Sequence, residues 1–221
     1  MVVVHHLNNS RSQRVLWLLE ELGVPYEIKH YARDAKTMLA PSELKAVHPL
    51  GKSPVITDGA VTVAESGAIL EYLVEKYGNG RLIPVAGSVE RRRYTYWMHY
   101  AEGTLMTLMI VSLLMSRIRR APLLVRPVAK AIAGMVGKSY LTPNIENNLD
   151  FMESELGKST WFAGADLTAA DIQMSFPVEA AAARGGLDAK RPNLMAFIQG
   201  IQSRSAYQRA LERGGPMQFL K

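Results

Sequence analysis

The N-terminal third of the chain alternates between strand-like and helix-like patterns of apolar residues. Residues 2–7 predict a buried strand, and residues 26–31 alternate as a second strand. Between them, apolar residues recur at the spacing of one helix face, at Val15, Leu18, Leu19 and Leu22. Gly23 and Pro25 should end this helix. The pattern predicts a β-α-β unit whose two strands pair in parallel.

The next residues predict a hairpin placed between two helices. A short helix is expected over residues 41–47, and residues 53–57 and 61–64 are close enough, across Asp58-Gly59, to pair as antiparallel strands. Residues 65–77 predict a helix that ends at Gly78. The resulting β-α-β-α-β-β-α order is thioredoxin-like, with a small mixed sheet and helices on both of its faces.

The strand patterns disappear from Ser88 onwards. Helical patterns follow, with breaks expected at Pro122, Pro143, Gly157, Gly164, Gly185-Gly186 and Gly214-Gly215. Ser88 should cap a long helix running towards Arg120. Residues 81–87, within a stretch rich in Gly and Pro, predict a linker. We therefore expect an α/β plus all-α fold, with a thioredoxin-like domain over residues 1–80 and an all-α domain over residues 88–221.

Residues 167–172, LTAADI, have the spacing of a capping box. Thr168 and Asp171 supply the polar pair, with Asp in place of Glu, and Leu167 and Ile172 supply a hydrophobic staple. A buried helix end with unpaired amides would be costly. The pattern therefore predicts a role in folding and none in catalysis.

The composition excludes several kinds of chemistry. The chain has no Cys, so it has no disulfide, no thiolate metal site and no cysteine nucleophile. His5 and His6 are adjacent on a predicted strand and should point to opposite faces, which makes them poor joint metal ligands. We expect no metal site.

Charge and hydropathy argue against nucleic acid and membranes as partners. The formal net charge is +6, yet the basic residues are scattered and Arg91, Arg92 and Arg93 share their helix with Glu90 and Glu102. The most apolar run, residues 105–115, covers 11 residues, whereas a membrane-spanning helix needs about 20. It predicts a buried helix segment. The N-terminus lacks the pattern of a secretory signal, so we expect a cytosolic location.

Residues 48–73 combine two features of a site for a small anionic peptide. Pro54 follows Ser53 in a setting where a proline is often held cis, with the backbone of the preceding residue turned towards a ligand. Ser53 could then pair through its main chain with an extended peptide. Glu65 and Ser66 lie at a helix N-terminus, where carboxylates bind.

Five segments together resemble the glutathione S-transferase family over nearly the whole chain. They are SRSQRVLWLLEELGVPYE after the first strand, HPLGKSPVI, AESGAILEYL, LTAADI and the C-terminal NLMAFIQGIQSRSAYQRALERGG. The resemblance implies a thioredoxin-like domain with the glutathione site, a helical domain with the second-substrate pocket, and a homodimer. It also implies that glutathione is a co-substrate and that no other cofactor is used.

The resemblance makes Ser10, just after the first strand, the activating hydroxyl. The thiol of glutathione has an ordinary pKa of about 8.5, and a hydrogen bond donated to the sulfur favours the thiolate. Arg11 and the N-terminus of the following helix would add positive potential. Ser12 could take the role of Ser10, and Asn9 is another possible donor to the sulfur. Ser10 and Ser12 could each also be only a helix cap.

The same resemblance distributes glutathione over the residues of the 48–73 window. Glu65 and Ser66 should hold the γ-glutamyl end, and Ser53 should pair through its backbone with the cysteinyl unit, in a geometry set by Pro54. Lys52 should meet the glycyl carboxylate. Taken singly, Lys52 could be a solvated turn residue, and the Glu65-Ser66 pair could be only a charged helix start.

We expect an enzyme that conjugates glutathione to small, mostly hydrophobic electrophiles. The second-substrate pocket should lie between the Ser10 loop and the long helix, near Trp97, Tyr100 and Met109, although such residues at helical spacing are more often core. The absence of cysteine argues against members that form a mixed disulfide with glutathione. Two alternatives are a glutathione-dependent peroxidase activity and a non-catalytic binding or regulatory protein of the same fold.

Overall fold

The strands and helices of the N-terminal third form where the apolar spacing predicts them. The structure is a computed structural model that describes residues 1–34, 36–37, 39–183, 187 and 189–217. Its first elements are β1 (Val2–Leu7), α1 (Ser12–Leu22), β2 (Tyr26–Tyr31), α2 (Leu44–Val47), β3 (Val55–Asp58), β4 (Val61–Ala64) and α3 (Ser66–Tyr77). Gly23 ends α1 in a left-handed conformation with φ 68°.

These four strands form one mixed sheet in the order β2-β1-β3-β4. β1 and β2 are parallel, and β3 is antiparallel to both β1 and β4, which confirms the predicted fold class. Val2 and Val4 belong to the main core together with apolar residues of α1 and α3. Leu7 and Tyr31 form a separate small cluster with Leu44 of α2.

Two of these elements are shorter than their sequence pattern suggests. The helix expected over residues 41–47 is limited to α2, and the strand expected from residue 53 begins at Val55. Pro54 lacks the N–H that a strand ladder requires, and it follows Ser53 through a cis peptide bond, as predicted. The two residues before β3 therefore remain outside the sheet.

Helices make up the remainder of the described chain. They are α4 (Val89–Tyr100), a π-helical segment (Ala101–Met106), α5 (Thr107–Ile118), α6 (Arg126–Val136), a second π-helical segment (Gly137–Leu141), α7 (Thr142–Leu156), α8 (Ala169–Ala183), α9 (Pro192–Gln202) and α10 (Ser205–Gly214). Ser88 caps α4 by accepting a hydrogen bond from the Arg91 N–H, as predicted. Residues 79–88 form turns and irregular loop, and the domain boundary placed there stays a prediction.

Two sequence expectations for the helices are wrong. Pro143 does not break its helix, because the π-helical segment before it changes the hydrogen-bond register where the proline N–H is missing. Residues 105–115 are not a uniformly buried segment. Leu105 and Met109 are buried, whereas Ile110 and Leu114 are 43% and 48% exposed. The Gly185-Gly186 break lies outside the described residues.

The continuous helix Val89–Ile118 is long and apolar enough, by length and composition, to cross a membrane. Core helices of soluble proteins pass the same test. Only 28% of its most apolar window is buried in the protein, however. The best-buried side chains of the helix, including Tyr94, Trp97 and Leu105, lie between its start and Leu105.

The C-terminal helices hold α1 in place. Arg204 makes a bidentate ion pair with Glu21, at 2.5 and 3.0 Å, and Arg209 and Arg213 both pair with Glu20. Gly214 at the end of α10 lies so close to α1 that a Cβ there would come within 2.5 Å of a Leu16 methyl carbon. The helix that carries the candidate site is thus fixed from the opposite end of the chain.

The predicted capping box is present at the start of α8. One oxygen of Asp171 accepts hydrogen bonds from the N–H and the hydroxyl of Thr168, and the other accepts from the Phe162 N–H, all at 2.8 Å. Asp171 is fully buried, and burial raises its pKa to about 6. The box fixes α8, whose Gln173 side chain reaches the candidate site.

Candidate active site

A pocket of about 150 Å³ lies between the cis-proline turn and the N-terminus of α3. Its lining includes Arg11, His48, Leu50, Lys52, Ser53, Pro54, Ala64, Glu65, Ser66 and Glu102. Six of the residues singled out in the sequence, from three separate segments, therefore surround one pocket. A larger pocket of about 370 Å³ lies beside residues 80–90 and 163–168 and contains none of them.

Ser53 lines this pocket, and its backbone polar groups form no hydrogen bond within the described residues. Its side chain is tied to β1, because the hydroxyl donates to the His5 carbonyl at 2.9 Å and accepts from the Leu7 N–H at 3.3 Å. Its own N–H and C=O have no hydrogen-bond partner in the described part of the chain. A half-buried backbone of this kind can pair with an extended peptide.

The N-terminus of α3 forms the opposite wall. The first hydrogen bond of this helix joins the Ile69 N–H to the Glu65 carbonyl, so the three preceding amides point out of the helix and have no partner among the residues that the structure describes. Glu65 is exposed, has φ 72°, and forms no side-chain bond among the described residues. A non-glycine residue in such a conformation is typical of ligand sites, since it costs free energy that the fold alone does not require.

Ser66 is held from inside the protein by a buried polar network. Its Oγ accepts from Arg14 Nη1 at 3.1 Å and from Gln173 Nε2 at 3.2 Å, which leaves its hydroxyl hydrogen available to a ligand. Arg14 Nη1 also donates to Glu102 at 2.6 Å. Arg14 is fully buried, and burial lowers its pKa to about 10, so it stays charged near neutral pH.

Arg14, Glu102 and Gln173 were missed in the sequence. They come from α1, the first π-helical segment and α8, and no spacing rule connects residues that far apart. Arg14 did carry a signal, because it lies four residues before Leu18 on the apolar face of α1. A charged residue on that face requires a buried partner.

Arg11 is at the rim of the pocket and shares Glu102 with Arg14. Arg11 Nε lies 3.0 Å from Glu102 Oε2, with both side chains about one-third exposed. The ring of Phe176 lies 5.8 Å from the Arg11 guanidinium and 5.2 Å from that of Arg14. The positive potential expected at Arg11 is therefore partly neutralised by a carboxylate of the helical half.

Ser10 begins a chain of close polar contacts that leads away from the pocket. Its Oγ lies 3.5 Å from Ser53 Oγ and 2.6 Å from Ser12 Oγ, which in turn lies 2.8 Å from His6 Nδ1. Burial, and to a smaller extent His30, lowers the pKa of His6 to about 4, against a weaker opposing effect of a backbone hydrogen bond with Gly214. Ser12 is fully buried and further from Ser53, so the geometry favours Ser10 as the hydroxyl that a ligand meets.

Asn9 and Lys52 are at the edge of this arrangement. Asn9 has φ 50°, and its carbonyl accepts a hydrogen bond from Arg33 Nη2 at 3.4 Å. Lys52 is exposed at the pocket and has no ion pair among the described residues. Its charge is thus not neutralised by the fold.

The two adjacent histidines face opposite sides of β1, as predicted. His5 Nδ1 lies 3.0 Å from the Tyr31 hydroxyl on one side, and His6 meets Ser12 of α1 on the other. Within the described residues, no group of three or more His, Asp or Glu is arranged to hold a metal ion.

The structure does not bring Trp97, Tyr100 and Met109 to the pocket. All three are at least 93% buried. Trp97 packs against the rings of Phe151 and Phe162, and the Tyr100 hydroxyl donates to Asn148. The assignment of these three residues to the second-substrate pocket stays a prediction, which this burial in the core does not favour. The helix buries its large side chains against α7 and the loop before α8.

Comparison with known proteins gives a consistent result. The family described as "Glutathione S-transferase, N-terminal domain" matches residues 1–75, and "Glutathione S-transferase, C-terminal domain" matches residues 138–205. Glutathione S-transferase 3 of Schizosaccharomyces pombe is 39% identical over 216 residues, covering 96% of this chain and 88% of the relative.

Solved structures extend the similarity to the whole fold. A glutathione S-transferase from Actinobacillus pleuropneumoniae has a TM-score of 0.76 and 31% identity, covering 99% of this chain and 95% of that one. A sphingomonad glutathione S-transferase solved with glutathione has a TM-score of 0.73 at 24% identity, covering 96% and 98% of the two chains.

Proposed function

The chain belongs to the glutathione S-transferase family, and from that premise we propose that it conjugates the thiolate of glutathione to small, mostly hydrophobic electrophiles. The observation that carries the proposal is the pocket itself. The unused Ser53 backbone, the unpaired amides at the start of α3 and the uncompensated Lys52 surround it. Ser10 is not among the lining residues and lies behind Ser53, with its Oγ 3.5 Å from Ser53 Oγ. These groups match an extended peptide with a carboxylate at each end.

In the proposed complex, glutathione lies as an added strand along Ser53. Its γ-glutamyl carboxylate meets the α3 amides and the Ser66 hydroxyl, and its ammonium group meets Glu65. Lys52 meets the glycyl carboxylate. Each ligand charge faces a protein group of opposite sign or polarity, which is the arrangement that strengthens hydrogen bonds between them.

Ser10 is proposed to donate a hydrogen bond to the sulfur. The buried Ser12 and His6 side chains behind Ser10 determine whether its hydroxyl hydrogen can point that way. At 2.6 Å, one of the Ser10 and Ser12 hydroxyls must donate to the other. The Ser10 hydrogen is free for the sulfur only when Ser12 donates to Ser10. Ser12 Oγ also lies 2.8 Å from Nδ1 of His6 and 3.4 Å from the Leu7 carbonyl, so Ser12 donates to Ser10 in the His6 tautomer whose Nδ1 carries the ring hydrogen. His6 is thus a positioning residue.

The reaction requires no cofactor in this proposal. Loss of the thiol proton to solvent gives a thiolate, which the Ser10 hydrogen bond and the nearby Arg11 stabilise. The thiolate attacks an electrophilic carbon and forms a carbon–sulfur bond, while the displaced group leaves with the electron pair. The acceptor would lie beside the sulfur, near Arg11 and Glu102.

We also propose a cytosolic homodimer, which the family resemblance supports. Sedimentation equilibrium should give twice the 24.5 kDa mass of one chain. A mass of one chain would contradict the proposal.

The proposed function is tested by titrating glutathione into the full chain while following thiolate absorbance across pH. The wild-type protein should bind glutathione and lower the pKa of its thiol below the free value of about 8.5. Ser10→Ala should retain affinity within a few fold and return the pKa towards the free value. It should also slow conjugation by roughly 10- to 100-fold, since a hydrogen bond to a charged group contributes about 1.5–3 kcal/mol.

Ser116→Ala is the matched control, because Ser116 is exposed and bonds only to its own helix. An unchanged thiol pKa in Ser10→Ala would move the role to Ser12 or Asn9. Turnover of organic hydroperoxides without conjugation would favour the peroxidase alternative. Failure of the wild-type protein to bind glutathione would favour a binding or regulatory protein.

A further inference from the structure

The hairpin of α5 and α6, defined here as residues 103–145, concentrates the positive charge of the chain. The chain has 26 Lys and Arg and 20 Asp and Glu. No Asp or Glu occurs between Glu102 and Glu146, while six basic residues do, at Arg117, Arg119, Arg120, Arg126, Lys130 and Lys138. The rest of the chain has equal numbers of both signs. The formal net charge of +6 therefore resides in this hairpin.

The fold leaves these charges uncompensated. None of the six basic side chains forms an ion pair in the described part of the chain. Arg119 and Arg126 donate only to backbone carbonyls of the hairpin itself. Five of the six side chains are exposed, and Arg126 is half-buried.

Large apolar side chains are exposed on the same hairpin. Ile110, Leu114 and Ile118 follow one another every four residues along α5, and Val128, Ile132 and Met135 do so at spacings of four and three along α6. The loop between the helices adds Leu123, Leu124 and Val125, of which Leu124 is 97% exposed. Monomeric proteins rarely leave a contiguous apolar surface of this extent without a partner.

From this combination we propose that the α5–α6 hairpin is a docking surface for a bilayer that contains anionic phospholipids. The loop residues 123–125 insert among the lipid chains, and the surrounding Arg and Lys side chains bind the headgroup phosphates. Basic residues beside exposed apolar ones on helices are the pattern of interfacial membrane binding.

Other occupants fit the charge less well. A symmetric contact with a second copy through this surface would bring two sets of six positive charges together. Nucleic acid would satisfy the charges but would leave the exposed Leu, Ile and Val side chains in water. A transmembrane span is incompatible with the buried part of the helix, where Trp97 and Leu105 pack in the core.

The proposal is tested by flotation of the full chain with extruded vesicles. Vesicles of phosphatidylcholine with about one-third phosphatidylserine should carry the protein, and vesicles of phosphatidylcholine alone should not. The double variant Leu123→Ser, Leu124→Ser should lower the partition coefficient at least about tenfold, because each Leu loses its apolar contact with lipid. The triple variant Arg117→Gln, Arg120→Gln, Lys130→Gln should lower it about fivefold for each charge.

Val85→Ser is the matched control, since Val85 is 80% exposed but lies outside the hairpin. It should bind vesicles as the wild type does. All variants should unfold at the same denaturant concentration as the wild type, because the altered side chains are exposed. Equal binding to both kinds of vesicle, or wild-type binding of the Leu double variant, would overturn the proposal. A lower solution mass for the Leu double variant would instead identify the surface as an interface between copies.

Discussion

The middle and the C-terminal end of the helix Val89–Ile118 differ in how their charges are paired. At the pocket, Glu102 receives Arg11 and Arg14, and Arg14 in turn holds Ser66. At the far end, Arg117 and its basic neighbours have no acidic partner among the described residues, and the apolar side chains between them are exposed. One continuous helix therefore connects a buried polar network to an exposed, charged and apolar surface.

The comparison shows which charged groups are needed for folding and which are not. A buried charge without a partner would cost several kcal/mol, so the pocket network is required for the chain to fold as it does. Exposed arginines and leucines add almost nothing to folding stability. The uncompensated charges and exposed apolar side chains of the hairpin are therefore better explained by binding to a partner than by folding.

The largest effect on stability is expected at Asp171, a fully buried residue of the helical half. Asp171→Ala removes the acceptor of three hydrogen bonds and leaves buried donors at Phe162 and Thr168. We expect the free energy of unfolding to fall by about 3–5 kcal/mol. Urea unfolding followed by circular dichroism measures the change.

Asp166→Ala is the control for this variant, since Asp166 is exposed in the same loop and its replacement should change stability by less than about 0.5 kcal/mol.

The pH dependence of stability gives a second check on Asp171. Because burial raises the pKa of Asp171 to about 6, the native state keeps a proton that the unfolded state releases near pH 3.8. The stability contributed by Asp171 therefore falls as pH rises from about 4 to 6. If Asp171→Ala were as stable as the wild type, buried polar contacts would not be required for folding, and the contrast with the exposed hairpin would fail.

A smaller effect, confined to binding, is expected at Glu65. Its side chain is exposed and forms no bond in the described structure, so Glu65→Ala should leave the unfolding free energy unchanged. If Glu65 meets the glutathione ammonium, the dissociation constant should rise roughly 10- to 100-fold, which corresponds to about 1.5–3 kcal/mol. Isothermal titration calorimetry measures it. Glu75→Ala, an exposed position on the same helix, should bind as wild type; equal affinities of the two variants would exclude the assignment.

The sequence was sufficient for the residues that belong to local patterns. The strands, α1, the turn before Pro54 and the start of α3 depend on neighbours within a few positions, so their spacing predicts them. The Thr168–Asp171 box is local in the same way. The Arg14–Ser66–Gln173 contacts are not local, because they join residues 52 and 159 positions away from Arg14. Only the tertiary fold brings such residues together.

Local patterns were misleading where the meaning of a pattern depends on burial. Trp97, Tyr100 and Met109 have the spacing of a pocket wall and of a core alike, and the structure places them in the core. The apolar run 105–115 has the composition of a buried helix, yet Ile110 and Leu114 are exposed. Along the whole chain, the basic residues are spread among acidic ones, so the sequence as a whole does not draw attention to the six in the hairpin. Their lack of acidic neighbours becomes significant only when the hairpin is seen as one unit.

The smallest effect tests whether the buried Ser10–Ser12–His6 contacts act on the sulfur through their hydrogen bonds. His6→Leu removes the hydrogen-bond partner behind Ser12, so, if Nδ1 of His6 carries the ring hydrogen, the Ser10 hydroxyl should point less often at the ligand. We expect the pKa of bound glutathione to rise by less than one unit, or about 1 kcal/mol, with affinity nearly unchanged. His6→Asn should restore part of the shift, since its amide N–H can stand in place of Nδ1–H. His30→Asn, which alters only the exposed ring beside His6, should have no effect. The pKa of His6 is about 4, so its own titration does not interfere above pH 5.5. If His6→Leu and wild type bind the same thiolate, then Ser10 is oriented by the ligand alone, and the network behind it serves only the fold.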